Sequence, residues 1–358
     1  MPRHSNTGDM RMTATLANHQ VRLAKRPETT ATREHWNFTT EPVAEPDQGG
    51  VLVQTLSLSL DPAMRGWLND AKSYIPPVAI GEVMRAGGVG RVIASQNPAF
   101  AVGDTVYGTL GVQEYALLPQ DALQRAGLVK IDLRLGTVGQ WLNVLGMPGM
   151  TGYFGLLDIG QPQPGQTVVV SAAAGAVGQT VGQLAKIKGC RAVGIAGGPA
   201  KCDWVVKELG FDACIDYKAG PGAVREGLKQ HCPNGVDVYF DNVGGDILDQ
   251  VLAKLARKAR VIVCGAISQY NNANSMPGAG PRNYLSLLVN RARMEGMVVF
   301  DYADRFPQAI AELAGYLKDG RMQSKEDVVQ GLDQFPETLN KLFAGGNFGK
   351  LVLQVAAE

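Results

Sequence analysis

Two patterns of hydrophobic and polar positions divide this chain. Over the first part, short apolar or alternating runs at 51–60 (VLVQTLSLSL), 87–95 (GGVGRVIAS), 103–108 (GDTVYG) and 113–118 (QEYALL) are cut by glycine and proline. That is the signature of a β-rich, partly barrel-like domain. From about residue 146 strand and helix patterns alternate instead. The run Val168–Ser171 leads into Thr180–Lys188, whose apolar residues recur at helical spacing, and Ala192–Ala196 follows as a second strand. ACIDY at 213–217, VDVYFDNVG at 236–244, RVIVCG at 260–265 and EGMVVF at 295–300 continue the series, with helices such as Lys201–Leu209 and Pro307–Lys318 between or after them. Six strands with crossover helices predict an α/β fold with a doubly wound parallel sheet. Beyond residue 318 the chain returns to isolated strand-like pieces ending in GKLVLQV at 349–355, a tail expected to rejoin the first domain and make it discontinuous. The expected organisation is a flexible tail over 1–12, a β-rich domain over 13–145 and 316–358, and the α/β domain over 146–315.

The most informative local segment is TVVVSAAAGAVG at 167–178. Three β-branched residues run straight into a turn whose small residues Ala172, Gly175 and Gly178 have the spacing of a dinucleotide-binding fingerprint. The first allows a tight reversal, Gly175 lets backbone N–H groups approach a pyrophosphate, and Gly178 lets the following helix lie close to the strand. That helix starts near Ala176, so Ala176 and Val177 occupy its first turn, where the positive end of the helix dipole favours phosphates. The next strand ends in Ile195-Ala196-Gly197-Gly198-Pro199-Ala200-Lys201 and offers no carboxylate for a ribose 2′-hydroxyl. A small loop at Gly197 with a lysine at its far end suits a 2′-phosphate instead, which needs room, N–H donors and a cation. NADPH is therefore the expected cofactor.

Composition narrows the field further. The 34 basic and 33 acidic residues nearly cancel and form no basic stripe, which argues against nucleic acid or an anionic membrane as partner. Without an apolar stretch of membrane-spanning length or a signal-like N-terminus, the chain is expected to be cytoplasmic. Cys190, Cys202, Cys214, Cys232 and Cys264 are widely spaced without a C-x-x-C pair, and His4, His19, His35 and His231 are scattered. No metal site is expected, and the cysteines read as reduced, small apolar side chains.

Several segments resemble the zinc-independent branch of the medium-chain dehydrogenase/reductase superfamily that contains NADPH-dependent double-bond reductases: leukotriene/prostaglandin reductases, alkenal reductases and curcumin-reductase-like enzymes. They include SLDPAMRGW at 59–67, DAKSYIPPVAIGEVMRAGG at 70–88, GMPGMTGYFGLLDIG at 146–160, FDNVGGDILDQVL at 240–252, CGAISQYN at 264–271 and GNFGKLVLQV at 346–355. The resemblance implies a Rossmann NADP-binding domain beside a discontinuous GroES-like substrate domain. Ile80-Gly81-Glu82 stands where zinc alcohol dehydrogenases carry Gly-His-Glu, so the usual electrophile for alcohol oxidation is missing. Conjugate reduction of an α,β-unsaturated ketone or aldehyde is the reaction implied. Tyr270, just after a strand C-terminus, is the favoured oxyanion donor, with Tyr74 as a second candidate. Met64 and Arg65 resemble the family's active-site floor, Arg65 more as a brace than as a contact. By the same resemblance Lys201 and Tyr217 hold the 2′-phosphate, Asn242 approaches the ribose or nicotinamide, and Cys264, Phe300 and Asn347 line the nicotinamide and phosphate sides. A homodimer through the edge at 293–302 is expected. A quinone reductase and a non-catalytic NADPH-binding protein stand as alternatives.

Overall fold

Val168, Val169 and Val170 are buried on both faces, and their run forms the middle of a six-stranded parallel sheet. A computed structural model describes residues 16–271 and 280–358, so the predicted tail at 1–12 lies outside the described residues. Across the sheet the strands are ordered Ala213–Asp216, Arg191–Ala196, Thr167–Ser171, Val236–Asp241, Leu255–Val263 and Arg293–Gly296. Strand order reverses between Thr167–Ser171 and Val236–Asp241, which opens a crevice at their C-terminal ends.

The helix Ala176–Ile187 crosses from Thr167–Ser171 to Arg191–Ala196. The following helix starts at Pro199 rather than Lys201 and ends at Lys207, because a proline with its φ already set is favoured at the first helical position. One strand departs more from expectation. EGMVVF at 295–300 is not a strand throughout: pairing covers Arg293–Gly296, and Val299–Arg305 winds into a 3-10 helix. Its partner Leu255–Val263 runs out opposite Gly296, and after the bond from Met297 N–H to Val263 O the chain has no ladder to join.

The first part of the chain builds a separate, mainly antiparallel sheet in which Val51–Ser59 pairs with Gly87–Ser95 and with Tyr115–Leu118. The C-terminal strand Lys350–Gln354 joins this sheet, with Val352 opposite Ser59 and Glu326–Gln330 parallel on its other side. The β-rich sheet therefore takes strands from both ends of the described chain. Apolar cores cover the antiparallel sheet and both faces of the parallel sheet, one of the latter reaching Val89 and Val352 of the antiparallel sheet.

Buried amides stitch the two sheets together. Gln179 and Gln183, on the helix after the glycine turn, exchange hydrogen bonds with the backbone of Lys325 and Gln323, and Gly349 N–H donates to Ala174 O at 2.9 Å. The return strand thus enters its sheet directly from the turn. Among the described residues no helix is long and apolar enough to cross a membrane.

Candidate active site

The turn at 172–178 has the shape of a phosphate cradle. Gly178 lies so close to the chain before it that a Cβ there would sit 2.2 Å from Ala172 O, and one at Gly175 would sit 3.1 Å from the same atom. Gly175 is the N-cap of its helix and offers no side chain to the first-turn amides at Ala176, Val177 and Gly178, which remain available to an anion. Ala172 takes up a left-handed φ of 51°, a conformation normally left to glycine.

At the far end of the crevice Lys201 and Tyr217 come together. Lys201 Nζ donates to Gly345 O at 2.8 Å, and the Tyr217 hydroxyl lies 2.9 Å from where a Cβ on Gly197 would be and 3.9 Å from one on Gly345. Burial pushes the Lys201 ammonium below its ordinary value, and the nearby Lys218 and Lys341 cations add to the effect. An arriving dianion would relieve that cost, so the residues fit the extra phosphate of NADPH. Here the structure adds an acid that sequence spacing did not reveal. Asp216, at the end of the neighbouring strand, accepts the amides of Gly198 (2.7 Å) and Lys218 (2.8 Å), so backbone donors engage the charge it brings to this loop.

Towards the other end, Asn242 bonds back to the first strand: its N–H donates to Ser171 Oγ (2.9 Å) and its Nδ2 to Ser171 O (2.8 Å). The preceding Asp241 is fully buried. Its Oδ1 accepts from Tyr239, Val243 N–H and Gly244 N–H, Oδ2 has no partner among the described residues, and burial raises its carboxyl above the ordinary range. Cys264 follows the next strand, its thiol pushed up to about 12 by burial. Tyr270 closes this group from a short 3-10 turn. Its hydroxyl accepts the Ala266 N–H at 3.0 Å, burial raises its pKa, and it lies near enough to Cys264 and Tyr74 to interact with their charges. Tyr74 is exposed across the crevice, its ring 6.3 Å from that of Phe300. Asn347 is buried and donates to Gly349 O at 2.8 Å, bracing the segment that meets the glycine turn.

Two expected substrate residues do not reach this crevice. Met64 is fully buried in the β-rich core, its sulfur accepting Asp61 N–H. Arg65 is equally buried, and its guanidinium donates to Thr29 O, Pro27 O and Asn69 Oδ1. The one-turn helix Ala63–Gly66 points both inward, and carbonyls and an amide oxygen occupy the arginine's donors. Sequence reading passed over a polar cluster in the same segment. Lys350, 1% exposed, donates to Leu60 O (2.8 Å) and Asp61 Oδ1 (2.7 Å), while Ser59 bonds the other Asp61 oxygen. A lone lysine opening the apolar strand KLVLQ was the available signal.

A crevice at the strand-order reversal, with a glycine cradle at one point and a lysine–tyrosine pair at another, defines a dinucleotide-dependent oxidoreductase with a separate β-rich substrate domain. Residues 19–126 match the family described as N-terminal domain of oxidoreductase, and residues 176–315 match zinc-binding dehydrogenase. Among the described residues no group of three His, Cys, Asp or Glu side chains is arranged to hold a metal ion. The chain is 45% identical to the putative NADP-dependent oxidoreductase YfmJ of Bacillus subtilis, over 96% of this chain and 99% of the relative. It is 43% identical to the NADPH-dependent curcumin reductase of Escherichia coli, over 95% and 98%. The crystal structure of CurA from Vibrio vulnificus in complex with NADPH superposes with a TM-score of 0.87 at 42% identity, covering 95% of this chain and 100% of that one. The chain belongs to the NADP-dependent double-bond reductases of the medium-chain dehydrogenase/reductase superfamily, the group of curcumin, alkenal and prostaglandin reductases. It is an NADPH-dependent oxidoreductase.

Proposed function

We propose that this oxidoreductase reduces the carbon–carbon double bond of α,β-unsaturated ketones and aldehydes. The observation that carries this reading is the hydrogen bond at Tyr270. Its oxygen accepts from Ala266 N–H and its own proton meets no acceptor among the described residues, so it can be donated, and burial keeps that proton on the phenol at neutral pH. When bound, NADPH supplies a hydride from nicotinamide C4. Tyr270 then donates to the substrate carbonyl oxygen and stabilises the enolate charge that develops as the β-carbon is reduced. Tyr74 covers the crevice from the β-rich domain and offers a second phenol, Phe300 gives it an apolar wall, and the α-carbon takes its proton from solvent.

The cofactor is held by Ala176, Val177 and Gly178 amides at the pyrophosphate and by Lys201 and Tyr217 at the 2′-phosphate. Ile80-Gly81-Glu82, in place of Gly-His-Glu, supports a phenol rather than a zinc ion as the electrophile. We also infer a homodimer through the outer strand Arg293–Gly296. It is exposed throughout, beside Leu288 (76% exposed) and Val289 on the adjoining helix, an edge unpaired among the described residues and with an apolar border.

Initial rates on conjugated enones, conjugated enals and simple quinones, each with NADPH and NADH, test the reading. Faster NADPH turnover with enones or enals than with quinones is expected. A quinone preference would move the chain to the quinone reductases, and NADPH binding without turnover on any of the three classes would make it non-catalytic.

A further inference from the structure

Beneath the loop that carries Lys201 two cysteines lie on neighbouring elements. Cys202 is the next residue, in the first turn of the helix Pro199–Lys207, while Cys214 belongs to the edge strand Ala213–Asp216 and pairs opposite Gly194. Gly194 leaves the space that Cys214 fills: a Cβ there would lie 3.2 Å from Cys214 Sγ and 3.2 Å from Val205 Cγ1 of the helix. The Cys214 sulfur therefore lies under the helix beside Val205, one turn along the same helix from Cys202. Both cysteines are reduced and only partly buried. The Cys214 thiol, donating towards Cys202, holds the Cys202 sulfur below its ordinary value, and Cys214 is raised in turn. One sulfur of the pair is thus suited to attack and the other to retain its proton.

We propose that Cys202 and Cys214 form an oxidative modification site, which a peroxide converts to a disulfide that displaces Lys201 and weakens NADPH binding. The Cys202 thiolate attacks a peroxide oxygen and breaks the O–O bond, giving a sulfenic acid and, for hydrogen peroxide, hydroxide. Cys214 sulfur then attacks the sulfenic sulfur and expels its oxygen, which leaves as water with the Cys214 proton. Together the thiols lose two electrons and the peroxide gains them. Closing two sulfurs to a bond of about 2.05 Å draws the first helical turn towards the strand. Lys201, one residue before Cys202, is carried away from Gly345 O, which it now meets at 2.8 Å. The effect on affinity rests on the reading of Lys201 as a 2′-phosphate ligand.

Reduced full-length protein treated with hydrogen peroxide provides the test, read by intact mass, peptide mapping and titration with NADPH and NADH. Expected are a mass loss of two hydrogens, a linked Cys202–Cys214 peptide, and a roughly tenfold rise in the NADPH dissociation constant, as for one charge-assisted bond lost. NADH binding stays unchanged, and dithiothreitol restores the starting state. Cys202→Ser abolishes the response, and Cys214→Ser stops it at a dimedone-reactive sulfenic acid. A sulfinic acid at Cys202 without a linked peptide would overturn the proposal, as would linkage with NADPH affinity unaltered. Lys201→Ala in the reduced protein tests the underlying ligand assignment separately, since its failure leaves the mapped linkage intact.

Discussion

The two ends of the cofactor crevice are built from opposite materials. At the proposed adenosine end the working groups are charged and partly exposed, and burial first, then the Lys218 and Lys341 cations, depress the Lys201 ammonium. At the proposed nicotinamide end they are neutral: partial burial holds Tyr270 and Cys264 in their protonated forms, and the fully buried Asp241 is shifted in the same direction. Charge suits the first task, because a phosphate carries its charge before and after binding. A neutral donor suits the second, because the substrate oxygen becomes negative only during reaction, and a proton held nearby interacts more strongly with that state than with the ground state. On the proposed reading the glycine turn serves both ends.

Gly178→Val should break both ends together and is the largest effect expected. Its Cβ would meet Ala172 O at 2.2 Å and Ala173 Cα at 2.8 Å, backbone atoms that move only with the turn. A stability loss of about 3 kcal/mol is expected, with no measurable NADPH binding by titration. Unchanged affinity would mean that the turn does not hold the pyrophosphate.

Tyr270→Phe should separate the ends. Removing one oxyanion donor lowers kcat by about 10² to 10³, while the NADPH KM stays near its starting value. Because Ala266 N–H loses its acceptor, a stability cost of about 1–3 kcal/mol accompanies the change, visible as a lower Tm. Wild-type kcat in the folded variant would remove Tyr270 from the chemistry.

Lys201→Ala should act at the adenosine end alone. Losing one charge-assisted bond to phosphate lowers kcat/KM for NADPH by roughly tenfold to a hundredfold and leaves NADH unaffected. The pH dependence has a definite sign. Burial lowers Lys201 from 10.5, so as pH rises through that lowered value the cation is lost and the NADPH KM climbs, while the NADH KM does not. A parallel rise for both coenzymes would place the titrating group elsewhere.

What sequence could reveal follows the same division between local and distant causes. The run Thr167–Ser171, the turn and its helix are dictated by neighbours in the chain, and they were legible residue by residue. EGMVVF was over-read because β-branched residues favour extension, yet a strand persists only while a partner faces it, and here the partner ends at Val263. Met64 was misplaced because a four-residue helix carries too few apolar positions to reveal which face is buried, while Arg65 makes bracing hydrogen bonds of the kind expected of it. Asp216 at the loop and Lys350 on Asp61 are assembled by strand pairing, the latter across 289 residues, beyond the reach of spacing rules.

Ala172→Gly is the smallest effect and probes the turn itself. An L-residue in the left-handed region costs about 1–2 kcal/mol, and glycine removes that cost but returns about 0.4–1 kcal/mol to the unfolded chain as entropy. Relief of strain at φ 51° should win narrowly, raising Tm by a degree or two with NADPH affinity unchanged. A weaker NADPH dissociation constant alongside a higher Tm would give the strain a purpose: the Ala172 methyl would then be holding the turn in the shape that phosphate requires, at the expense of stability. A lower Tm would instead mean that the turn bears no strain for glycine to relieve.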